Sequence, residues 1–264
     1  MVLSIHDLTF QLFPEVHERI KRYYFPAMIK AAVKKAHTVI AISDSTRADL
    51  YRLLPVSRGK TVVTLLAARS FGQCEPTSAL DEERRDIDDY VLFVGTVEPR
   101  KNLTRLIGAW QSLDARIRGA TKLVVVGATG WLVEELLGRL KSTDAVRFLG
   151  HVGDGQLAEL MCNAKAFLYP SLYEGFGLPV AEAMSSGIPV LTSNVGATRE
   201  VADGAAILVD PASEEDIRAG LSRLLSDPGL RASLAVLGRE RAASFSWVRT
   251  AQETLAVIEG AANA

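Results

Sequence analysis

The sequence predicts an α/β fold built around parallel sheets. From about residue 90 of the 264-residue chain, short apolar runs alternate six times with segments of helical spacing. Because these runs are apolar at consecutive positions, each strand is expected to be buried on both faces. We therefore expect a doubly wound, Rossmann-like parallel sheet with right-handed crossovers in the C-terminal part of the chain.

The six predicted strands share one pattern, a short apolar run that ends near glycine or a small polar residue. They lie at residues 90–95, 121–127, 145–150, 166–171, 188–193 and 205–210. A long final helix, FSWVRTAQETLAVIEGA, is apolar on one side and must pack on another part of the chain. We expect it to pack back toward the N-terminal part.

The first 71 residues predict only part of a second Rossmann-like domain. Strands are expected at 2–5, 37–43 and 61–65, with a helix over 45–54. A parallel sheet this small rarely stands alone, because both of its faces need cover. The expected organisation is a partial N-terminal domain at 1–71, a linker at 72–89, a C-terminal domain at 90–244 and a C-terminal helical segment at 245–264.

Composition narrows the class of protein. Hydrophobic residues make up 48% and charged residues 23%, and the net charge of −1 gives no reason to expect a nucleic-acid partner. No apolar run approaches the roughly 18 residues that a membrane span needs, and no signal peptide opens the sequence. The cytoplasm is the expected location.

One segment, residues 17–37, is strongly basic. It holds six lysines or arginines and a single acid, with Tyr23, Tyr24 and Phe25 among them. A basic helix with aromatic residues can lie on anionic lipid, so we expect a peripheral contact with the membrane. The alternative is a solvated helix face whose aromatic side chains turn into the core.

Two adjacent cations, Arg100 and Lys101, follow the first strand of the predicted C-terminal domain, directly before a helix. Ligands of open parallel sheets bind beyond the carboxyl ends of the strands, and a helix start favours anions. The pair therefore suits a phosphate or diphosphate. The alternative is two solvent-facing loop charges.

Two glutamates frame the turn that opens a later helix, in YEGFGLPVAEAM at 173–184. Gly175 and Gly177 allow the backbone to approach a ligand closely. The ionised carboxylates of Glu174 and Glu182 can each accept two hydrogen bonds, which matches the vicinal diol of a sugar or ribose. The arrangement fits a nucleotide sugar, with one glutamate for each ring. The alternative is that Glu182 caps its own helix or forms an ion pair within it.

These stretches resemble glycosyltransferase family 4, the retaining enzymes with the GT-B fold. The resemblance is carried by VGTVEPRKNL, FLGHV, YPSLYEGFGLPVAEAMSSGIPVLTSNVGATREVADGAA and FSWVRTA. It covers the chain from about residue 90 to the end and extends weakly through SIHDLTFQLFPE and AISDSTRADL. It implies a donor-binding C-terminal domain. It also implies further strand–helix units ahead of the SIHDL strand, so the N-terminal domain is expected to be truncated.

The resemblance implies a role for each matched residue. Arg100 and Lys101 would bind the donor diphosphate, Glu174 would hold hydroxyls of the transferred sugar, and Glu182 would bind the ribose. The resemblance implies further donor-binding residues. Those of FLGHV would lie against the base, and those of the glycine turn against the sugar and phosphate. The full set is Thr96, Gly150, His151, Val152, Gly175, Phe176, Gly177 and Leu178.

Two positions need comment. His6 in SIHDL would line the catalytic cleft and joins Glu174 as a catalytic candidate; the alternative is a histidine satisfied by neighbouring backbone. Thr96 stands where some members of the family have arginine, so the phosphate would be bound by Arg100 and Lys101.

No metal or cofactor is expected, because fixed cations and the helix dipole would stabilise the departing diphosphate. The sequence also shows no acid and histidine cluster with ligand spacing.

The expected function is transfer of a hexose such as mannose, with retention of configuration. The donor would be GDP- or UDP-linked, and the acceptor a glycan or lipid-linked glycan of polysaccharide biosynthesis. One alternative is a nucleotide-sugar binding fragment without transferase activity, because the N-terminal domain is partial. Another is a sugar epimerase, which would need further acid–base groups in the cleft.

Overall fold

A computed structural model of the chain describes residues 1–14, 19–69, 89–130, 136, 138 and 144–263. Within these residues the strands form two parallel sheets, one of three strands and one of six. The smaller sheet contains β1 (Val2–Ile5), β2 (Thr38–Ala41) and β3 (Thr61–Val63). The larger contains β4 (Tyr90–Val94), β5 (Lys122–Val126), β6 (Val146–Gly150), β7 (Ala166–Tyr169), β8 (Val190–Ser193) and β9 (Ile207–Val209).

Helices connect and cover these strands. The N-terminal part carries α1 (Thr9–Leu12), α2 (Arg19–Lys35) and α3 (Asp44–Leu53). The C-terminal part carries α4 (Leu103–Gln111), α5 (Ala115–Arg118), α6 (Asp154–Asn163), α7 (Leu178–Ser185), α8 (Gly196–Ala202), α9 (Glu214–Ser226), α10 (Pro228–Ala243) and α11 (Trp247–Ala262). The segment WLVEELLGRL at 131–140 has the apolar spacing of a helix but lies outside the described residues, apart from positions 136 and 138, which are helical.

The six-stranded sheet has the order β6-β5-β4-β7-β8-β9. All of its pairings are parallel, and β4 lies between β5 and β7. The chain runs outward from β4 through β5 to β6 and then crosses to β7 on the other side. The prediction of a doubly wound α/β sheet is therefore confirmed, and its strand order reverses between β4 and β7.

The core of this sheet follows from the apolar runs. The side chains of Phe93 on β4 and Phe167 on β7 are fully buried, as continuous apolar strands require. On α4, Leu103, Leu106 and Trp110 are also fully buried, spaced three and four residues apart on one helical face. The helices therefore cover the sheet and leave its strand ends open for binding.

The three-stranded sheet has the order β1-β2-β3 and is also parallel. Its small core centres on fully buried Leu8, Val39 and Leu50. Helix α11 contacts β1 and β2, and Thr250 of α11 donates a hydrogen bond of 2.6 Å to the carbonyl of Leu65. The C-terminal helix thus packs on the N-terminal part. The predicted linker lies outside the described residues except for Asp89, so the domain boundaries stay predictions.

Helix α2 lies within the basic segment at 17–37. Its side chains are described from Tyr24 onward, while residues 17 and 18 lie outside the described part. Tyr24 and Met28 are exposed, whereas Phe25 packs edge-on against Phe10 at 6.1 Å between ring centroids. In the described ranges, none of the helices has the length and hydropathy to cross a membrane. Contact of α2 with lipid stays a prediction.

Candidate functional site

The candidate site lies where the loops after β4 and β7 meet. These neighbouring strands pair Val91 with Ala166 and Leu92 with Phe167, so their carboxyl ends open at the same edge of the sheet. The loops are tied together, since the backbone N–H of Leu172 donates to the carbonyl of Arg100 at 2.9 Å. This is the point where the strand order reverses, which is the usual ligand site of such sheets.

The carboxylate of Glu174 is the centre of the site and is only 9% exposed. Its Oε1 atom accepts hydrogen bonds from Lys101 Nζ at 2.7 Å, Ser171 Oγ at 2.7 Å and the Tyr169 hydroxyl at 2.9 Å. Its Oε2 atom accepts from Arg100 Nη1 at 2.7 Å. Burial alone would raise the pKa of Glu174, but Lys101 and Arg100 hold that pKa below its usual value. The group is therefore a carboxylate at neutral pH.

Arg100 is held on both of its terminal nitrogens. Nη1 also donates to the carbonyl of Tyr173 at 2.8 Å, and Nη2 donates to Glu98 Oε1 at 2.5 Å. Burial lowers the pKa of Arg100, but the carboxylates of Glu174 and Glu98 raise it further than burial lowers it. The guanidinium is thus a fixed cation in a defined orientation.

Lys101 is 8% exposed and also donates a short hydrogen bond to the hydroxyl of Tyr169. Its Nζ lies 5.0 Å from the centroid of the Tyr169 ring. Burial lowers the pKa of Lys101, an effect that Glu174 partly offsets. Arg100 and Lys101 are therefore not solvent-facing loop charges. With Glu98 and Glu174 they form a buried group whose formal charges cancel.

Glu182 lies in a second cluster, on the first turns of α7. Its carboxylate, with a side chain 12% exposed, pairs with Arg69 Nε at 3.2 Å. Arg69 also pairs with Asp154 at 2.8 Å, where α6 begins. Burial raises the pKa of Glu182, and Arg69 opposes the increase. Glu182 thus forms an ion pair with a residue outside its helix, which disfavours the alternative of an acid paired within α7.

The glycine turn between the two glutamates faces the N-terminal sheet. The carbonyl of Gly175 accepts hydrogen bonds from Ser43 Oγ at 2.6 Å and Thr46 Oγ1 at 3.1 Å. A Cβ atom at Gly175 would lie 1.9 Å from the carbonyl oxygen of His6, so no other residue fits there. Gly177 has a φ of 99° and precedes the first residue of α7. The turn is therefore fixed by contact between the two parts of the chain.

His6 lies at the end of β1, where its backbone meets this turn. The side chain is exposed, and its carbonyl accepts a hydrogen bond of 3.4 Å from Thr46 Oγ1. Among the described residues the imidazole has no hydrogen-bond partner. Its role in catalysis stays a prediction, and the alternative of a histidine satisfied by neighbouring backbone stays open as well.

Three other predicted donor-binding residues lie at the carboxyl end of β6, at the same edge of the parallel sheet. Gly150, at the end of β6, has a φ of 68°, followed by exposed His151 and half-buried Val152. These lie two strands from β4, in the sheet order, and so apart from Glu174.

Three further predicted positions differ in exposure. Thr96 is exposed just after β4, and Leu178 is half-buried at the start of α7. Phe176 is buried and packs edge-on against Phe245 at 5.5 Å between ring centroids. Contact of these residues with a donor stays a prediction. Within the described ranges there is no cluster of three or more acids, histidines or cysteines that could hold a metal ion.

Sequence reasoning missed several members of the site. Tyr169 and Ser171 hold Glu174, Glu98 holds Arg100, and Arg69 holds Glu182. Two of them carried a usable signal, since Ser171 lies two residues after the end of β7 and Glu98 lies just before the two cations. Arg69 carried none, because it lies 113 residues from its partner.

Comparison with known proteins gives three findings. The family described as "Glycosyl transferases group 1" matches residues 79–241. An O-antigen chain mannosyltransferase B of Escherichia coli is 33% identical over 96% of this chain and 68% of its own length. An MMP alpha-(1->4)-mannosyltransferase of Mycolicibacterium hassiacum is 32% identical over 92% of this chain, which spans 59% of that relative's length.

The fold also matches solved structures. The Anabaena protein HepE, crystallised in complex with UDP and glucose, superposes with a TM-score of 0.80 at 20% sequence identity. The match covers 98% of this chain and 71% of that one. At this level of identity the likeness concerns the fold, and it includes both parallel sheets described above.

Proposed function

The chain belongs to the family of glycosyl transferases group 1 and has the GT-B fold, and from this premise we propose that it transfers a hexose from a nucleotide-diphosphate sugar. The observation that carries the proposal is the buried cluster of Arg100, Lys101 and Glu174 at the switch point of the sheet. Two fixed cations and a carboxylate within one hydrogen-bond network suit a ligand with both anionic and hydroxyl groups.

In this proposal the donor diphosphate binds Arg100 and Lys101. Lys101 is buried and the side chain of Arg100 is only 16% exposed, so their charges are less screened than in water. Helix α7 begins four residues after Glu174, and the positive end of its dipole favours an anion nearby. Glu174 holds hydroxyls of the hexose and Glu182 those of the ribose. The two carboxylates lie in separate clusters, which suits two separate rings. Gly150, His151 and Val152 contact the base of the nucleotide. The donor in this proposal is GDP- or UDP-linked.

The reaction breaks the bond between the anomeric carbon and the diphosphate oxygen and forms one to the acceptor oxygen. The acceptor's proton passes to the departing diphosphate, so the step needs no carboxylate nucleophile and retains configuration by attack on the same face. Arg100 and Lys101 stabilise the charge that develops on the leaving group. His6, exposed at the end of β1 beside the glycine turn, lines the cleft in which the acceptor approaches.

The two relatives favour mannose as the hexose, since both are named as mannosyltransferases. The O-antigen relative favours a glycan or lipid-linked glycan as the acceptor. Exposed Tyr24 and Met28 on the basic helix α2 support a peripheral contact with the membrane that carries such acceptors, on the cytoplasmic side.

The test is transfer by the purified chain from GDP- or UDP-linked hexoses to a glycan acceptor, compared with Glu174→Gln. The matched control is Glu253→Gln, the same chemical change on an exposed position of α11. Transfer that is lost in Glu174→Gln and kept in Glu253→Gln supports the proposal. Equal turnover by both variants overturns it.

A second candidate function is nucleotide-sugar binding without transfer. It needs only the cluster of Arg100, Lys101 and Glu174 at the edge of the larger sheet. The two functions separate in one experiment, because binding of a nucleoside diphosphate without any glycosylated product supports the second alone.

A further inference from the structure

Glu98 is a buried carboxylate to which neither the sequence pattern nor the proposed reaction assigns a role. It follows β4 by four residues and is 5% exposed. Its Oε1 atom accepts from Arg100 Nη2 at 2.5 Å, and its backbone carbonyl accepts from the N–H of Lys101 at 3.1 Å. One residue therefore contacts both members of the cation pair, one through its side chain and the other through its backbone.

The partners of Arg100 divide between its two terminal nitrogens. Nη1 faces Glu174 and the carbonyl of Tyr173, and Nη2 faces Glu98. Under the proposed function, Glu174 must offer its oxygens to sugar hydroxyls while Arg100 offers N–H groups to the diphosphate. The ion pair between Arg100 and Glu174 therefore has to weaken when both ligand groups bind.

A buried guanidinium that loses its carboxylate partner is costly, because its desolvation is then uncompensated. Glu98 supplies a second carboxylate on the opposite nitrogen, so Arg100 stays paired and oriented while Glu174 turns to the sugar. Glu98 itself is a poor ligand for the donor, because an acceptor-only carboxylate repels a diphosphate.

We propose that Glu98 is a positioning residue of the donor site, which holds the Arg100 guanidinium in place for the diphosphate and leaves Glu174 free for the sugar. This inference rests on the proposed function and adds a residue to the donor site. The effect of Glu98 runs through Arg100. A substitution of Glu98 should therefore weaken nucleotide binding only when Arg100 is present to be positioned.

The experiment is a double-mutant cycle with the full chain. The affinities for GDP and for UDP are measured by calorimetric titration in wild type, Glu98→Gln, Arg100→Lys and the double variant. Lysine keeps the charge but lacks the fork that bonds Glu98 and the ligand together. We expect Glu98→Gln to weaken binding about tenfold in the Arg100 background, the scale of one charge-assisted hydrogen bond, and little in the Lys background. Glu253→Gln should leave both affinities unchanged.

An equal loss in the two backgrounds would show a general structural role and overturn the inference, and so would unchanged affinity in Glu98→Gln. If Glu98→Gln does not fold, as judged by circular dichroism, Glu98→Asp replaces it in the same cycle. The aspartate keeps the charge but is one methylene shorter, so the same dependence on Arg100 is expected. Failure of wild type to bind either nucleotide is a different result, because it contradicts the proposed function itself.

Discussion

Lys101 Nζ and Glu174 Oε1 lie 2.7 Å apart, and nine-tenths of each side chain is buried. Glu174 also bonds Arg100, so a single carboxylate faces both cations of the loop after β4. This relationship has a consequence for ligands, because any diphosphate that binds the two cations competes with Glu174 for them.

Glu174→Gln should therefore separate binding from transfer. Removing the negative charge frees Arg100 and Lys101, so GDP or UDP alone should bind at least as tightly as to wild type. Transfer of the hexose should fall about a hundredfold, because the sugar hydroxyls lose charge-assisted hydrogen bonds. Calorimetric titration with the nucleotide and an assay of glycosylated product measure the two effects. Weaker nucleotide binding in this variant would show that Glu174 does not compete for the cations.

Gly175→Ala should destabilise the whole chain. The new Cβ would lie 1.9 Å from the carbonyl oxygen of His6, so the glycine turn and β1 would have to separate. Overpacking of this kind costs about 3 kcal/mol in the free energy of unfolding. Gly155→Ala is the matched control, since it lies near the start of α6 with open space around it and should be neutral or slightly stabilising. Thermal unfolding of both variants measures the difference; equal midpoints would contradict the observed contact.

The raised pKa of Glu182 predicts a pH dependence of nucleotide binding. Burial favours the neutral form, so the group protonates at a higher pH than an ordinary glutamate. Only the ionised form accepts both ribose hydroxyls, and the affinity for nucleotide should therefore fall as the pH drops through this raised pKa. Folding stability has the opposite sign, because a raised pKa contributes stability at low pH that is lost as the pH rises.

Titrations with GDP and UDP between about pH 4 and pH 8 measure this dependence, around the ordinary glutamate value. Glu182→Gln should bind more weakly and lose the part of the pH dependence that Glu182 contributes; the rest comes from the terminal phosphate of the nucleotide, which ionises at about pH 6 in both proteins. Arg69→Ala removes the cation that opposes the increase, so the midpoint should move to still higher pH. An unchanged midpoint in Arg69→Ala would contradict the ion pair at Glu182.

Glu200 predicts a measurable contact between the two parts of the chain. Its two carboxylate oxygens accept from the backbone N–H groups of Asp44 and Ser45, each at 2.9 Å, at the start of α3. A carboxylate at a helix N-terminus satisfies free donors and favours the helix dipole. Glu200→Ala should therefore lower the free energy of unfolding by about 1 kcal/mol in a denaturant titration. The control is Glu215→Ala, which removes an exposed acid of α9 and should change the free energy of unfolding less. Equal losses of stability in the two variants would show that the effect comes from the charge alone and not from the contact with α3.

Much of the fold was predictable because most strands of the larger sheet are short apolar runs. The runs that end near Gly95, Gly127 and Gly150 coincide with β4, β5 and β6. Burial on both faces holds for β4 but not for β6, where Arg147 is exposed. The location of Arg100 and Glu174 at one sheet edge followed from the parallel topology. The local sequence around each residue predicts that it follows a strand. It does not predict that the two side chains contact each other.

What the sequence did not predict depends on contacts between distant residues. The pairing of Arg69 with Glu182 joins positions 113 residues apart, and the hydrogen bond of Ser43 to Gly175 joins positions 132 apart. Each joins the N-terminal part of the chain to the C-terminal part, which no local propensity encodes. The contacts of Arg100 with Glu98 and Glu174 depend instead on the neighbouring positions of β4 and β7 in the larger sheet.

The most direct test of a nucleotide-sugar site in this chain is calorimetric titration with GDP, UDP and their hexose conjugates, repeated with Glu182→Gln. The account predicts that one nucleotide binds at a single site and that the variant binds it more weakly. Failure of wild type to bind any of them, or equal affinity of wild type and Glu182→Gln, would contradict it.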